Sequence, residues 1–229
     1  MTGNLELSQT NYESVASTLN TQQGLIVAGR GCGSAIEISR LASLLNWPVL
    51  ADSRSGCQGI PEAVSYFDSV LRCEEFISEN QPTVVLRLGE SPSSKVLSQF
   101  VTKSRSTQVH VSAFASTTDA DHRVSLHISS DPTIFCREVQ KYVKPNSDSG
   151  FLVKWLGANR AARTTIEKYF GDSDSNLLAP RVAQLVAQSL SEENNLVVSS
   201  SMPVRDLEWF GGDCSLINVF SNRGANGID

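Results

Sequence analysis

Leu25-Ile26-Val27-Ala28-Gly29-Arg30-Gly31-Cys32-Gly33-Ser34 is the stretch that decides the fold. Four apolar residues closed by a glycine read as a short buried strand. Ser34 is suited to cap a helix, and Ile36, Ile38, Leu41, Leu44 and Leu45 supply that helix with an apolar stripe. Asn46-Trp47 ends it, because Pro48 disfavours helix in the residue before it. Pro48-Val49-Leu50-Ala51-Asp52 is then a second strand. Strand, helix and strand with apolar runs instead of alternation indicate a parallel sheet buried on both faces.

The same rhythm extends outward. Ser53 to Gly59 is a Gly- and Ser-containing loop, and Pro61 is placed for the first turn of a short helix continued by Tyr66 to Leu71. Thr83 to Gly89 is a strand, Ser93 to Val101 a helix, and Thr107 to Phe114 and Arg123 to Ile128 are two more strands. Asp131-Pro132 starts a helix through Tyr142, and a long helix with Trp155 and Leu156 ends near Phe170-Gly171. The fold class is α/β, a Rossmann-like parallel sheet with helices on both faces. Residues 1–20, polar and rich in Ser, Thr and Asn, read as a linker, and residues 21–171 as the sheet domain with a trailing helix.

Asp172-Ser173-Asp174-Ser175 marks a boundary, after which βαβ begins again. Leu177 to Leu190 is an amphipathic helix, Leu196-Val197-Val198 a strand, Met202 to Phe210 a helix and Leu216 to Phe220 a strand. Residues 172–229 are too few to close a second sheet, so they read as the incomplete start of a second α/β domain of a longer polypeptide.

The chain has 229 residues, of which 40% are hydrophobic and 19% charged, the balance of a globular protein. A net charge of −5 leaves no basic surplus to exchange for counterions, which excludes a general nucleic-acid binder. No apolar run approaches the roughly 20 residues of a membrane span. Met1-Thr2-Gly3-Asn4-Leu5-Glu6 has no signal-peptide character. Cys32, Cys57, Cys73, Cys136 and Cys214 form no Cys-x-x-Cys pair, and five is an odd number, so reduced, mostly packed thiols in a cytoplasmic protein are expected. His110, His122 and His127 show no zinc-ligand spacing, and no metal site is expected in this chain.

Two motif groups bear on function. Gly29 to Ser34, with Asp52 ending the next strand, has the outline of a dinucleotide site built on Gly31, Gly33 and Asp52. The third glycine of the fingerprint is missing, since position 34 is serine, and a tight strand-to-helix turn that binds nothing is the plainer reading. The second group is a set of cations. Lys95 stands near a helix N-terminus, where it opposes the helix dipole unless an anion is bound nearby. Arg205 and Arg223 each follow a strand, where ligands bind in open α/β sheets, and guanidinium groups suit carboxylates. Ser201 is either a cap for the helix bearing Arg205 or a ligand contact, and surface arginines with an ordinary cap remain open at this point. No nucleophile elbow and no phosphate loop are present, and no catalytic residue is assigned.

Ser201-Met202-Pro203-Val204-Arg205-Asp206 and Ser221-Asn222-Arg223-Gly224-Ala225-Asn226-Gly227-Ile228-Asp229 resemble the start of the diphosphate-binding domain in the 2-succinyl-5-enolpyruvyl-6-hydroxy-3-cyclohexene-1-carboxylate synthases. Asn46-Trp47-Pro48-Val49-Leu50-Ala51-Asp52 and Leu88-Gly89-Glu90 with Lys95 resemble the central domain of that family. The resemblance implies a fragment of a cytoplasmic thiamine diphosphate- and Mg²⁺-dependent transferase of menaquinone biosynthesis, a homodimer or homotetramer when complete. Its implied reaction decarboxylates 2-oxoglutarate and adds the succinyl carbanion equivalent to isochorismate. Lys95, Ser201, Arg205 and Arg223 would hold substrate carboxylates, Ile228 would prop the cofactor, and Asn222 would shape the loop. The family's activating glutamate and its metal segment match nothing in this sequence, so the isolated chain is expected to be inactive and to bind the cofactor weakly or not at all. A stand-alone dinucleotide or flavin module and a non-catalytic regulatory domain are the alternatives.

Overall fold

The computed structural model describes residues 7–113, 122–172, 178–192 and 194–222. The chain runs α1 (Gln9–Leu19), β1 (Gly24–Ala28), α2 (Ala35–Leu45), β2 (Val49–Ala51), β3 (Ala63–Val64), α3 (Phe67–Val70), α4 (Glu74–Glu79), β4 (Val84–Leu88), α5 (Lys95–Lys103), β5 (Thr107–Ser112) and β6 (Leu126–Ser129). There follow α6 (Pro132–Val139), α7 (Gly150–Asp172), α8 (Ala179–Ser189), β7 (Asn195–Val198), α9 (Met202–Phe210) and β8 (Asn218–Ser221).

The first six strands form one parallel sheet in the order β3-β2-β1-β4-β5-β6. The order reverses at β1, as in doubly wound nucleotide-binding folds. β1 shows why the sheet is buried on both faces. Ile26 and Ala28 join the core beneath α1, α2 and α6, whereas Leu25 and Val27 join the core beneath α3, α5 and α7. Trp155 of α7 is fully buried in the second core, edge-on to Phe76 at 5.1 Å.

Two local expectations differ from what is seen. Residues 9–19, expected within a linker, form α1, capped by Ser8, whose Oγ accepts the Asn11 N–H. Tyr12, Val15, Ala16 and Leu19 fall at i, i+3, i+4 and i+7 and are all buried, and Tyr12 stacks on Tyr142 at 6.0 Å. The polar residues lie on the outer face and dominate the composition. Pro61 does not begin a helix either. Ala63 and Val64 instead pair with Val49 and Leu50 as β3.

Beyond α7 a second unit begins. β7 and β8 pair in parallel, with Val197 opposite Phe220, and both of these residues are exposed on the outer face. The inner face, with Val198 and Val219, packs with Val204, Leu207 and Ile217 into a small core.

Candidate functional site

The turn after β1 closes on its own chain. A Cβ on Gly29 would lie 1.7 Å from the Glu90 carbonyl oxygen, so only glycine fits there. Gly33 has φ +96°, and a Cβ on it would approach the Thr133 backbone nitrogen to 2.7 Å. The Ser34 N–H at the start of α2 donates to Thr133 Oγ1 at 3.0 Å, the place where a nucleotide phosphate would be held. Asp52, the candidate ribose acid, is fully buried and bound by Arg54 through both carboxylate oxygens, at 3.2 and 2.7 Å. These glycines serve packing, and Asp52 has a partner within the protein.

Asp52 and Arg54 belong to a polar seam along which the second unit docks on the first. Burial opposes the Arg54 charge, but its hydrogen bonds to Asp52 outweigh that and hold it protonated. Gln58 Oε1 accepts the Cys214 N–H at 2.9 Å while its Nε2 donates to the Ala51 carbonyl at 3.2 Å. From the opposite side comes Glu208 of α9, 1% exposed, with neither carboxylate oxygen hydrogen-bonded. Burial first, then Asp52 and Asp68, push its carboxyl well above the ordinary range. Arg54 and the Ser93 amide offset this only in part, the amide facing the carboxyl without completing a hydrogen bond.

A second connection crosses the seam through Asp68 of α3, itself 2% exposed. Asp68 Oδ1 accepts from Ser94 Oγ at 2.5 Å, and Asp68 Oδ2 accepts from Arg72 Nε at 2.7 Å. The Arg72 guanidinium lies 5.0 Å over the Trp209 ring of α9. Ser94 caps α5, its Oγ accepting the Leu97 N–H at 3.0 Å. Lys95 is the next residue, exposed at the first position of α5. One chain of contacts therefore joins the helix of Lys95 to the helix of Arg205.

Ser201 and Arg205 sit together at the start of α9. Ser201 is exposed, caps no N–H, and adopts φ +74° with ψ −129°, a backbone region unfavourable for a residue with a Cβ. Arg205 lies one turn on, half-buried, with Nη1 3.9 Å from Met202 Sδ. The Ser200 N–H donates to Asn222 Oδ1 at 2.9 Å, tying the end of β7 to the end of β8. Arg223 and Ile228, the other candidates, lie outside the described residues.

Among the described residues no group of His, Cys, Asp and Glu could hold a metal ion. His110 donates from Nε2 to the Gly89 carbonyl at 2.9 Å. No described helix is long and apolar enough to cross a membrane. Sequence reasoning missed Arg54, Asp68 and Glu208. Nothing local in the sequence marks any of the three.

A doubly wound parallel sheet followed by a second βα unit defines a Rossmann-like α/β protein. The model of the family described as "Middle domain of thiamine pyrophosphate" matches residues 4–198, and the chain belongs to that family. It is also similar to proteins named 2-succinyl-5-enolpyruvyl-6-hydroxy-3-cyclohexene-1-carboxylate synthase. The one from Acaryochloris marina is 33% identical over 98% of this chain and 40% of its own length. Those from Myxococcus xanthus and Rubrobacter xylanophilus are 34% and 33% identical over 91% and 94% of this chain, and 36% and 39% of their own lengths. The chain thus spans about two fifths of the length of these relatives.

Proposed function

We propose that this chain is the central domain, with the opening part of the diphosphate-binding domain, of a 2-succinyl-5-enolpyruvyl-6-hydroxy-3-cyclohexene-1-carboxylate synthase. The observation that carries the reading is the identity of 33–34% with synthases of that name, sustained over more than 90% of the chain. In this reading residues 21–171 form the central domain and residues 172–229 begin the next. The exposed Val197–Phe220 pair and an apolar groove of about 410 Å³ between α8, α9 and β7 suit a domain that continues.

The proposed reaction is decarboxylation of 2-oxoglutarate and addition of the succinyl unit to isochorismate, within menaquinone biosynthesis in the cytoplasm. Thiamine diphosphate, when bound, supplies the electron sink for the decarboxylation. Among the described residues no group of His, Cys, Asp and Glu fits its Mg²⁺. Ile228 is the residue of this chain assigned to the cofactor, and the remaining contacts are assigned to a pyrimidine-binding domain, to the rest of the diphosphate domain and to a second subunit.

The chain's own part is recognition of carboxylates. Arg205 and Ser201 present a guanidinium and an uncommitted hydroxyl at the carboxyl end of β7. Arg223 follows β8 in sequence, and Lys95, exposed at the start of α5, is assigned as the third cation. Cations placed around several carboxylates fix the substrates in one orientation before reaction. In the polypeptide that joins this chain to the other domains, Arg205→Ala should cost about 2–5 kcal/mol in substrate recognition if the pair is desolvated. It should appear as a raised KM for 2-oxoglutarate or isochorismate, and unchanged kinetics would remove Arg205 from the site.

A further inference from the structure

Two of the five thiols are in direct contact. Cys32, in the turn between β1 and α2, and Cys57, in the loop after β2, lie at the carboxyl ends of neighbouring parallel strands. Their sulfurs are 3.6 Å apart, and the residues are 1% and 0% exposed. Both sulfurs also face the Ser55 carbonyl, at 3.3 and 3.6 Å. Buried cysteines are ordinarily inert packing groups. This pair is distinguished by its direct contact, its place at the ends of adjacent strands and its loop.

We propose that Cys32 and Cys57 form a reversible intramolecular disulfide, a redox modification site that fixes the loop after β2. A disulfide needs its sulfurs about 2 Å apart, so the pair has about 1.5 Å to close. The loop is built to supply that movement. Gly56 beside Cys57 is exposed at φ +70°, with open space where a Cβ would stand. The two thiols are also unequal. The hydrogen bond between them, with help from Ser55, pulls Cys57 down, whereas Cys32 is pushed well up. Either sulfur can be the donor in their contact, so Cys57 can attack first with Cys32 resolving, or the reverse. Burial pushes the neighbouring Cys136 far up, which keeps it a spectator.

With a peroxide as oxidant the step balances. With Cys57 first, its thiolate attacks one peroxide oxygen, breaking the O–O bond and leaving a sulfenic acid and, after protonation, water. The Cys32 sulfur then displaces the sulfenic hydroxyl, which leaves as a second water as the S–S bond forms. Two thiols are oxidised by two electrons and one peroxide is reduced to two waters.

The modification would be felt across the seam. Gln58, next to Cys57, holds the Cys214 backbone N–H, and the same loop carries the Asp52–Arg54 pair that faces Glu208. Drawing Cys57 toward Cys32 moves Gln58 and loosens that contact. None of this depends on the proposed synthase function, because it concerns this chain's own thiols.

The test uses the Cys73→Ser chain, which removes the one exposed thiol. The reduced protein is treated with hydrogen peroxide, alkylated under denaturing conditions and digested without reductant. The expected result is a monomer with a linked peptide pair containing Cys32 and Cys57, lighter by two hydrogen atoms and restored by dithiothreitol. Amide exchange at Cys214 should be faster in the oxidised form. Full alkylation of all four remaining thiols after peroxide, or a link that excludes either residue, would overturn the proposal. Unchanged exchange at Cys214 would overturn its coupling to the seam. The Cys57→Ser chain, treated alike, should leave Cys32 free, and a Cys32 linked elsewhere would count equally against the pairing.

Discussion

Glu208→Gln isolates the electrostatics of the seam. The wild-type carboxyl is 1% exposed with both oxygens unpartnered, and desolvation, Asp52 and Asp68 all disfavour its charge. Its folded pKa therefore lies above the value of about 4.3 that it takes in the unfolded chain. Between those two values the folded chain keeps a proton that the unfolded chain has lost. The stability this contributes is fully present below the unfolded pKa and is lost as pH rises through the folded pKa. The loss should approach about 1.4 kcal/mol per pH unit in that window and level off above it. Glutamine fills the same space and cannot ionise, so the variant should lack this slope. At the acid end the two proteins should agree to within about 1 kcal/mol, the scale of one changed hydrogen bond. The gap should widen in favour of the variant toward alkaline pH. Urea unfolding, followed by tryptophan fluorescence from about pH 5 to about pH 9, measures this directly. Titrating groups away from the seam are common to both chains and cancel in the difference. Parallel stability curves for wild type and variant would refute the reasoning, because they would mean that Glu208 is either solvated or already charged in the folded chain.

Asp68→Ala removes the acceptor shared by Ser94 and Arg72 and should destabilise the chain by about 1–3 kcal/mol, since Arg72 is half-exposed but Ser94 is buried. Amide exchange should quicken in α9 as well as in α5, and an effect confined to α3 would deny the bridge to Trp209. Ser201→Gly relieves a positive φ that glycine tolerates and should stabilise the chain by about 1 kcal/mol. In the complete polypeptide the same change should raise the KM for a carboxylate substrate, and destabilisation of the chain would contradict the strained backbone.

The parts of the fold legible in sequence were those whose signal is local. β1 and β2 are apolar throughout, and β4 is apolar but for Arg87, because helices cover both faces of the sheet, and such runs need no context to be read. β3 has two residues, and it is a strand only because β2 lies beside it and Asn159 of α7 binds its neighbour, the Tyr66 N–H, at 2.9 Å. α1 carried a legible spacing beneath a polar composition. At the candidate site, Ser201 and Arg205 could be singled out from the strand before them, because position after a parallel strand is a property of the sequence order. Arg54, Asp68 and Glu208 could not. In sequence they are ordinary charged residues, and only the docking of α9 over the loop after β2 buries them. The outline of a dinucleotide site, Gly31, Gly33 and Asp52, is a related case. Gly29 and Gly33 accommodate Glu90 and Thr133, both distant in sequence, whereas open space surrounds the place of a Cβ on Gly31.

The proposed function is tested most directly by isochorismate consumption. The assay takes the polypeptide that joins this chain to its pyrimidine-binding and complete diphosphate-binding domains, with thiamine diphosphate and Mg²⁺ supplied. Isochorismate should disappear only when 2-oxoglutarate is present, with carbon dioxide released in equal amount, and the isolated chain should consume none. Isochorismate left untouched by the complete polypeptide with both substrates and cofactor present, or consumed equally without 2-oxoglutarate, would contradict the account.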